Sequence, residues 1–152
     1  MKKLSLIIMS VVMASAAIGQ GLVTSTYVET TSVGPKAGIA VGAVNQYGWE
    51  YGGFYQESKT LESLVMSETT RSALPHRYER VFAGLYFSVP VTFYNRGEIK
   101  FNVRTGVVNK ESFIITPSLL ADYRLNNLIS IGGGVGVRNM APTIQTKISF
   151  TL

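Results

Sequence analysis

An alternation of apolar and polar residues with period two constrains this chain more than any other feature. It runs in short segments from Pro35 to the C-terminal residue Leu152. In Thr143 to Leu152, Ile144, Thr146, Ile148, Phe150 and Leu152 share one parity, against Thr143, Gln145, Lys147, Ser149 and Thr151. Successive side chains of a strand point to opposite faces. Such a segment therefore has one face in an apolar medium and one face wet.

The pattern recurs upstream. Leu128 to Arg138 sets Ile129, Ile131, Val135 and Val137 against Ser130, three glycines and Arg138. Phe113 to Leu125 sets Phe113, Ile115, Leu119, Ala121 and Tyr123 against Thr116, Ser118, Asp122 and Arg124. Glu98 to Val108 sets Ile99, Phe101, Val103 and Val107 against Lys100, Asn102 and Arg104. Arg77 to Phe93 sets seven apolar residues, Val81 through Val91 and Phe93, against Arg80, Tyr86 and Ser88. Gly48 to Ser58 and Lys36 to Asn45 complete seven strands, with Trp49, Tyr51 and Tyr55 opposed to Glu50, Phe54 and Gln56 in the former. The Thr- and Ser-rich stretch Gly21 to Thr31 is assigned as an eighth because a barrel with both ends on one side needs an even count. Pro90 and Pro117 mark places where a ladder loses a donor.

Composition decides which medium the apolar face meets. Hydrophobic residues make up 46% of the chain and charged residues only 15%, against about 25% charged in a typical soluble domain. Yet after residue 19 no stretch approaches the roughly 20 apolar residues of a membrane-spanning helix. Apolar content without an apolar run is what a membrane barrel produces, because its lipid-facing residues are interleaved with lumen-facing ones. The predicted fold is an all-β, eight-stranded, antiparallel, up-and-down transmembrane β-barrel over residues 20–152.

The N-terminus reads as a secretory signal over residues 1–19, with Lys2 and Lys3 before an apolar run from Leu4 to Met13. Cleavage after Gly19 is preferred, and cleavage after Ala16 suits the same small-x-small rule. As an uncut anchor the run is short. Without cysteine there is no lipid attachment, disulfide framework or thiolate metal site. Removing Lys2 and Lys3 takes the net charge from +5 to +3, and the remaining basic residues mostly sit singly in strand-like segments, which argues against nucleic acid as a partner. An exported barrel of this kind belongs in the bacterial outer membrane, with outer-membrane lipid as its surroundings.

Turn signals divide the connections into two sets. Asn45 to Tyr47, Asn95 to Gly97 and Asn126-Asn127 are tight, and in bacterial barrels tight turns lie on the periplasmic side. The alternate connections face outward, and of these only Lys59 to His76 is long. Tyr47, Trp49, Phe93, Tyr94, Tyr123 and Phe150 fall at strand ends beside the tight turns or the C-terminus. Aromatic rings favour the membrane–water boundary, so these six form a predicted periplasmic girdle. Phe113, Tyr55 and Tyr27 are the candidates for the outer rim.

Three stretches carry a family resemblance: Gly34-Pro35-Lys36-Ala37-Gly38, Gly53-Phe54-Tyr55-Gln56-Glu57 and Leu85-Tyr86-Phe87-Ser88-Val89-Pro90-Val91. With them, residues 34–152 resemble the small eight-stranded outer-membrane protein β-barrel family, OmpA-like and PorT-like. The ending Lys147-Ile148-Ser149-Phe150-Thr151-Leu152 looks like the terminal signal read by the barrel-insertion machinery, carried by Phe150 and Leu152. It departs from the commonest form, in which the aromatic residue is itself last. The resemblance implies fold and location more than activity.

Candidate chemistry is sparse. By parity Glu50, Arg80, Lys100, Arg104, Asp122, Arg138 and Lys147 point into the lumen. An eight-stranded interior is just wide enough to be filled by side chains, and a buried charge is costly unless paired. A packed ion-pair network with Glu50 and Asp122 as shared acceptors is expected, in preference to a transport pore lined by basic residues. His76, the only histidine, lies near Ser72 and Glu79. Catalysis by a lipid A-modifying hydrolase would need a base within reach of the hydroxyl and a group orienting it, and sequence proximity supplies neither. Gly132-Gly133-Gly134-Val135-Gly136 is not followed by a helix, so it reads as relief of crowding in a narrow barrel rather than a phosphate loop. The expected role is structural or surface-interactive, non-enzymatic, without cofactor or metal, and with Lys59 to His76 as contact surface. A soluble lipocalin-like barrel with an apolar interior is the remaining alternative, since parity alone does not say which face is inside.

Overall fold

In the computed structural model the described residues are 21–31, 34–58 and 81–152. They form eight strands: β1 (Gly21–Thr31), β2 (Gly34–Val44), β3 (Glu50–Glu57), β4 (Val81–Tyr94), β5 (Gly97–Val108), β6 (Ser112–Arg124), β7 (Ile129–Arg138) and β8 (Ala141–Thr151). Each strand pairs antiparallel with its sequence neighbours, and β1 closes on β8 from Val23 opposite Thr151 to Thr30 opposite Ile144. The result is a closed up-and-down barrel without a free sheet edge. The predicted signal segment 1–19, Arg80 and the stretch 59–79 with His76, Ser72 and Glu79 lie outside the described residues.

Polarity in the wall runs opposite to that of a soluble protein. Leu85, Phe101, Ile115, Leu119, Val135, Ile144 and Ile148 are exposed on the outside, whereas Glu29, Glu50, Lys100, Arg104, Asp122 and Arg138 are buried within. A lipocalin-like barrel would carry the reverse arrangement, with an apolar ligand cavity inside. The parity is enforced by register, because a slip of one residue would turn every side chain to the other face.

Both described ends and three turns lie at one end of the barrel. Leu22 and Leu152 exchange backbone hydrogen bonds of 2.9 and 2.8 Å there. The side-chain oxygen of Asn45 accepts from the backbone of Tyr47 and Trp49, and that of Asn126 accepts from Leu128 and Ile129. Turn length separates the two ends less than the sequence implies. At the opposite end Asn139-Met140 joins β7 to β8 with φ of 49° and 64°, and Asn109-Lys110 begins the β5–β6 turn with φ of 51° and 66°. Both pairs have the left-handed backbone of the tightest hairpins. Of the predicted outward connections, only the one between β3 and β4 is long in sequence.

One irregularity re-aims side chains. The β4–β5 register shifts between Pro90 and Thr92, leaving Val91 as an extra residue. Pro90 has no amide hydrogen to give the ladder, which makes this the natural place for a bulge.

Candidate functional site in the barrel interior

The interior charges fall into two clusters, one near each end. At the end bearing the termini, Lys100 on β5 stands among three carboxylates. Its Nζ lies 2.5 Å from Glu50 Oε1, 2.7 Å from Glu98 Oε1 and 3.4 Å from Asp122 Oδ2. Lys147 Nζ on β8 joins them at 2.9 Å from Asp122 Oδ2 and 3.8 Å from Glu50 Oε2. Glu50 and Asp122 thus each form ion pairs with both lysines, as shared anionic partners. Arg124 Nη2 reaches Glu98 from the rim at 3.6 Å.

Toward the other end, one fully buried carboxylate organises the interior. Glu29 on β1 accepts from Arg104 Nη2 at 2.9 Å and Arg138 Nη1 at 3.0 Å. It also accepts from Gln56 Nε2 at 2.8 Å and from Gln145 Nε2 at 3.5 Å. Through this one side chain β1 is tied to β3, β5, β7 and β8. The guanidinium faces lie against aromatic rings, Arg104 over Tyr27 at 4.9 Å and over Phe54 at 5.9 Å, and Arg138 over Phe82 at 4.3 Å. Phe54 and Phe82 meet edge to face with centroids 4.6 Å apart. Such contacts are strongest where the cation is desolvated, and rings and carboxylate together hold the two buried arginines.

This arrangement corrects the sequence reading in four places. Arg104 and Arg138 pair with Glu29, not with Glu50 or Asp122. Glu98, on the same parity as Lys100, is a fourth acid of the interior. Tyr27, assigned to the outer rim, is buried inside against Arg104. Phe93, assigned to the lipid-facing girdle, lies beyond the bulge and pairs with Glu98, whose carboxylate faces inward. Directly opposed residues share a face, so Phe93 falls on the interior parity, yet it is 61% exposed at the mouth, on the same rim as the other five aromatics. Tyr47, Trp49, Tyr94, Tyr123 and Phe150 are exposed at the end bearing the termini, as is Leu152. Trp49 packs edge to face on Phe87 at 5.8 Å.

Small residues make room for these large ones. A Cβ added at Gly132 would collide with the Asp122 carboxylate, and one at Gly38 with the Tyr27 ring. Gly132, Gly134 and Gly136 of β7 therefore leave room for their β6 neighbours. Among the described residues no group of three or more His, Cys, Asp or Glu could hold a metal ion. The three carboxylates near the termini instead surround ammonium groups.

In a comparison with solved structures the chain is similar to one described as a de novo designed transmembrane β-barrel. The TM-score is 0.62 at 12% identity, over 87% of this chain and 95% of the other. It also aligns with Neisserial surface protein A at TM-score 0.38 and 9% identity, over 88% of this chain and 94% of the other. At such identities the first likeness bears on fold alone. No family model and no curated protein matches the chain.

Proposed function

We propose that this chain is a small integral outer-membrane β-barrel protein of a Gram-negative bacterium with a structural or surface-interaction role and no catalysis. The observation that carries the reading is the inverted polarity, an apolar outer shell around a closed wall whose interior charges are paired. In bulk water such a shell would expose a continuous apolar surface far larger than soluble monomers tolerate. In a bilayer it is the required surface. The designed barrel of similar fold supports the membrane setting, and the signal-like residues 1–19 support export.

The interior favours a plug over a pore. Two clusters that each draw side chains from four or five strands fill the bore at two levels, and opening it would uncouple charges in a poorly hydrated space. The β3–β4 connection, by far the longest in sequence, is then the surface available to a partner outside the cell. The test is the purified protein in detergent and in planar bilayers. Heat-modifiable gel mobility with no conductance above background is expected. A chain that stays soluble without detergent and shows no mobility shift refutes the membrane reading, and discrete conductance steps refute the plug.

A further inference from the structure

Among the described residues of the eight strands, Glu57 is the one charged side chain on the outer parity. It closes β3, and its neighbours across the ladders continue one row: Ala37 on β2, Val28 on β1 and Thr146 on β8. Directly opposed residues share a face, so all four look outward. The Glu57 carboxylate is half-buried, and among the described residues its one polar partner is Tyr55, whose hydroxyl donates to it at 3.4 Å. That bond is long for a hydroxyl donor, and a carboxylate offers about four acceptor positions. An ionisable group on a membrane-facing surface is rare and tends to serve a ligand or partner.

Beside Glu57 the wall is concave, although a barrel is convex outside. A groove of about 810 Å³ crosses β1, β2 and β8, within the size range of small-molecule sites. Ala37, Val28 and Thr146 keep its floor low. In the adjoining row, also on the outer parity, Ile39, Ile148 and Ile131 line its flank, with Tyr55 at the β3 end. Lys36 and Lys147 border the groove from the interior parity, Lys36 opposite Glu29 and Lys147 paired with Asp122 at 2.9 Å. The charge presented on the outer side is therefore that of Glu57.

The row starts at the last residue of β3 and reaches Gly133, midway along β7. Barrel strands are tilted, so a row perpendicular to them slants from the rim toward the middle of the wall. Four strand spacings of about 4.8 Å make roughly 19 Å. That is long enough to follow a hydrocarbon chain through one leaflet of a core roughly 30 Å thick.

We propose that this groove holds an acyl chain of a lipid whose headgroup ends in a primary ammonium, with the ammonium on Glu57 and Tyr55 beside it. The proposal rests on the membrane reading above. An ammonium group offers three donors, and hydrogen bonds between charged partners are the short, strong ones. Tyrosine favours the headgroup level. A soluble amine would leave the apolar groove unused, and an anionic headgroup would meet a like charge.

The test is mass spectrometry of the intact, detergent-solubilised full chain titrated with phosphatidylethanolamine or phosphatidylcholine of identical acyl chains. The two differ in that a trimethylammonium group has no hydrogen to donate. The wild type is expected to bind phosphatidylethanolamine about tenfold more tightly. In E57Q that preference disappears, whereas E111Q, in the β5–β6 turn, retains it. A37W fills the groove floor and weakens binding of both lipids. Phosphoethanolamine at matching concentration leaves the lipid bound. Equal affinities in the wild type, an undiminished preference in E57Q, unchanged binding in A37W, displacement by phosphoethanolamine, or a dimer that E57Q dissolves would each overturn the lipid site. Gel mobility with and without heating, run on every sample, separates the two readings. A missing shift in the wild type counts against the membrane barrel, and a normal shift with indifferent lipid binding counts against the groove site alone.

Discussion

Glu29→Gln is the substitution whose consequence follows most directly from the structure. Glu29 is fully buried and its carboxylate is shared by Arg104 at 2.9 Å and Arg138 at 3.0 Å, with Gln56 and Gln145 also donating to it. Glutamine keeps the shape but removes the charge, and it turns an NH₂ group toward groups that only donate. Removing one partner of a buried pair costs about 3–5 kcal/mol, because the remaining charge stays uncompensated. Here two guanidiniums lose the anion, but the rings of Tyr27, Phe54 and Phe82 stay against their faces, which places the loss toward the lower end. A loss of about 3 kcal/mol lowers the folding equilibrium constant by roughly two orders of magnitude. The assay is urea unfolding in lipid vesicles followed by emission of Trp49, the single tryptophan. Arg138→Met added to Glu29→Gln should cost less than the sum of the two, with a coupling of about 0.5–3 kcal/mol. A drop below about 1 kcal/mol for Glu29→Gln, no larger than removing one ordinary hydrogen bond, would refute the view that this carboxylate holds the interior together.

Other substitutions probe the wall and the turns by the same titration. Gly132→Ala drives a methyl group into the Asp122 carboxylate and should destabilise by about 1–3 kcal/mol, whereas a neutral result would mean β7 has room to spare. Leu119→Arg places a charge on the outer face near the middle of β6 and should cost about 2–4 kcal/mol if that face meets the bilayer midplane. Met140→Gly relieves a left-handed backbone at φ 64° and should stabilise by about 1 kcal/mol, read as a higher urea midpoint.

Much of the fold was readable because an alternating strand encodes its own orientation. Phe101, Asn102 and Val103 in sequence already state out, in, out, and the closed eight-stranded order follows from strand count and short connections. β1 carried the weakest pattern. Its outer face includes Thr24, Thr26 and Thr30, so polar residues on both parities hid the strand's one acid, Glu29, and the face of Tyr27. Pairings within the lumen were illegible for a different reason. Parity says that Arg104 and Arg138 point inward, but which carboxylate they meet depends on barrel tilt and on register across several strands. Glu98 shares its parity with Lys100 and could have been found, though its place beside the Asn95-Arg96 turn gives it the look of a surface residue. The bulge after Pro90 carries a visible cause, the missing amide, yet only the register shows that it turns Phe93 to the interior parity.

Nitroxide labels at paired positions would test most directly which face meets hydrocarbon. With cysteines introduced singly at Phe101, Asn102, Ser118 and Leu119 in vesicle-reconstituted protein, collisions with oxygen and with a water-soluble nickel complex report apolar and aqueous surroundings. High oxygen and low nickel collision rates are expected at 101 and 119, and low rates of both at 102 and 118 inside the plug. High nickel collision rates at 101 and 119 would contradict a hydrocarbon-facing outer wall.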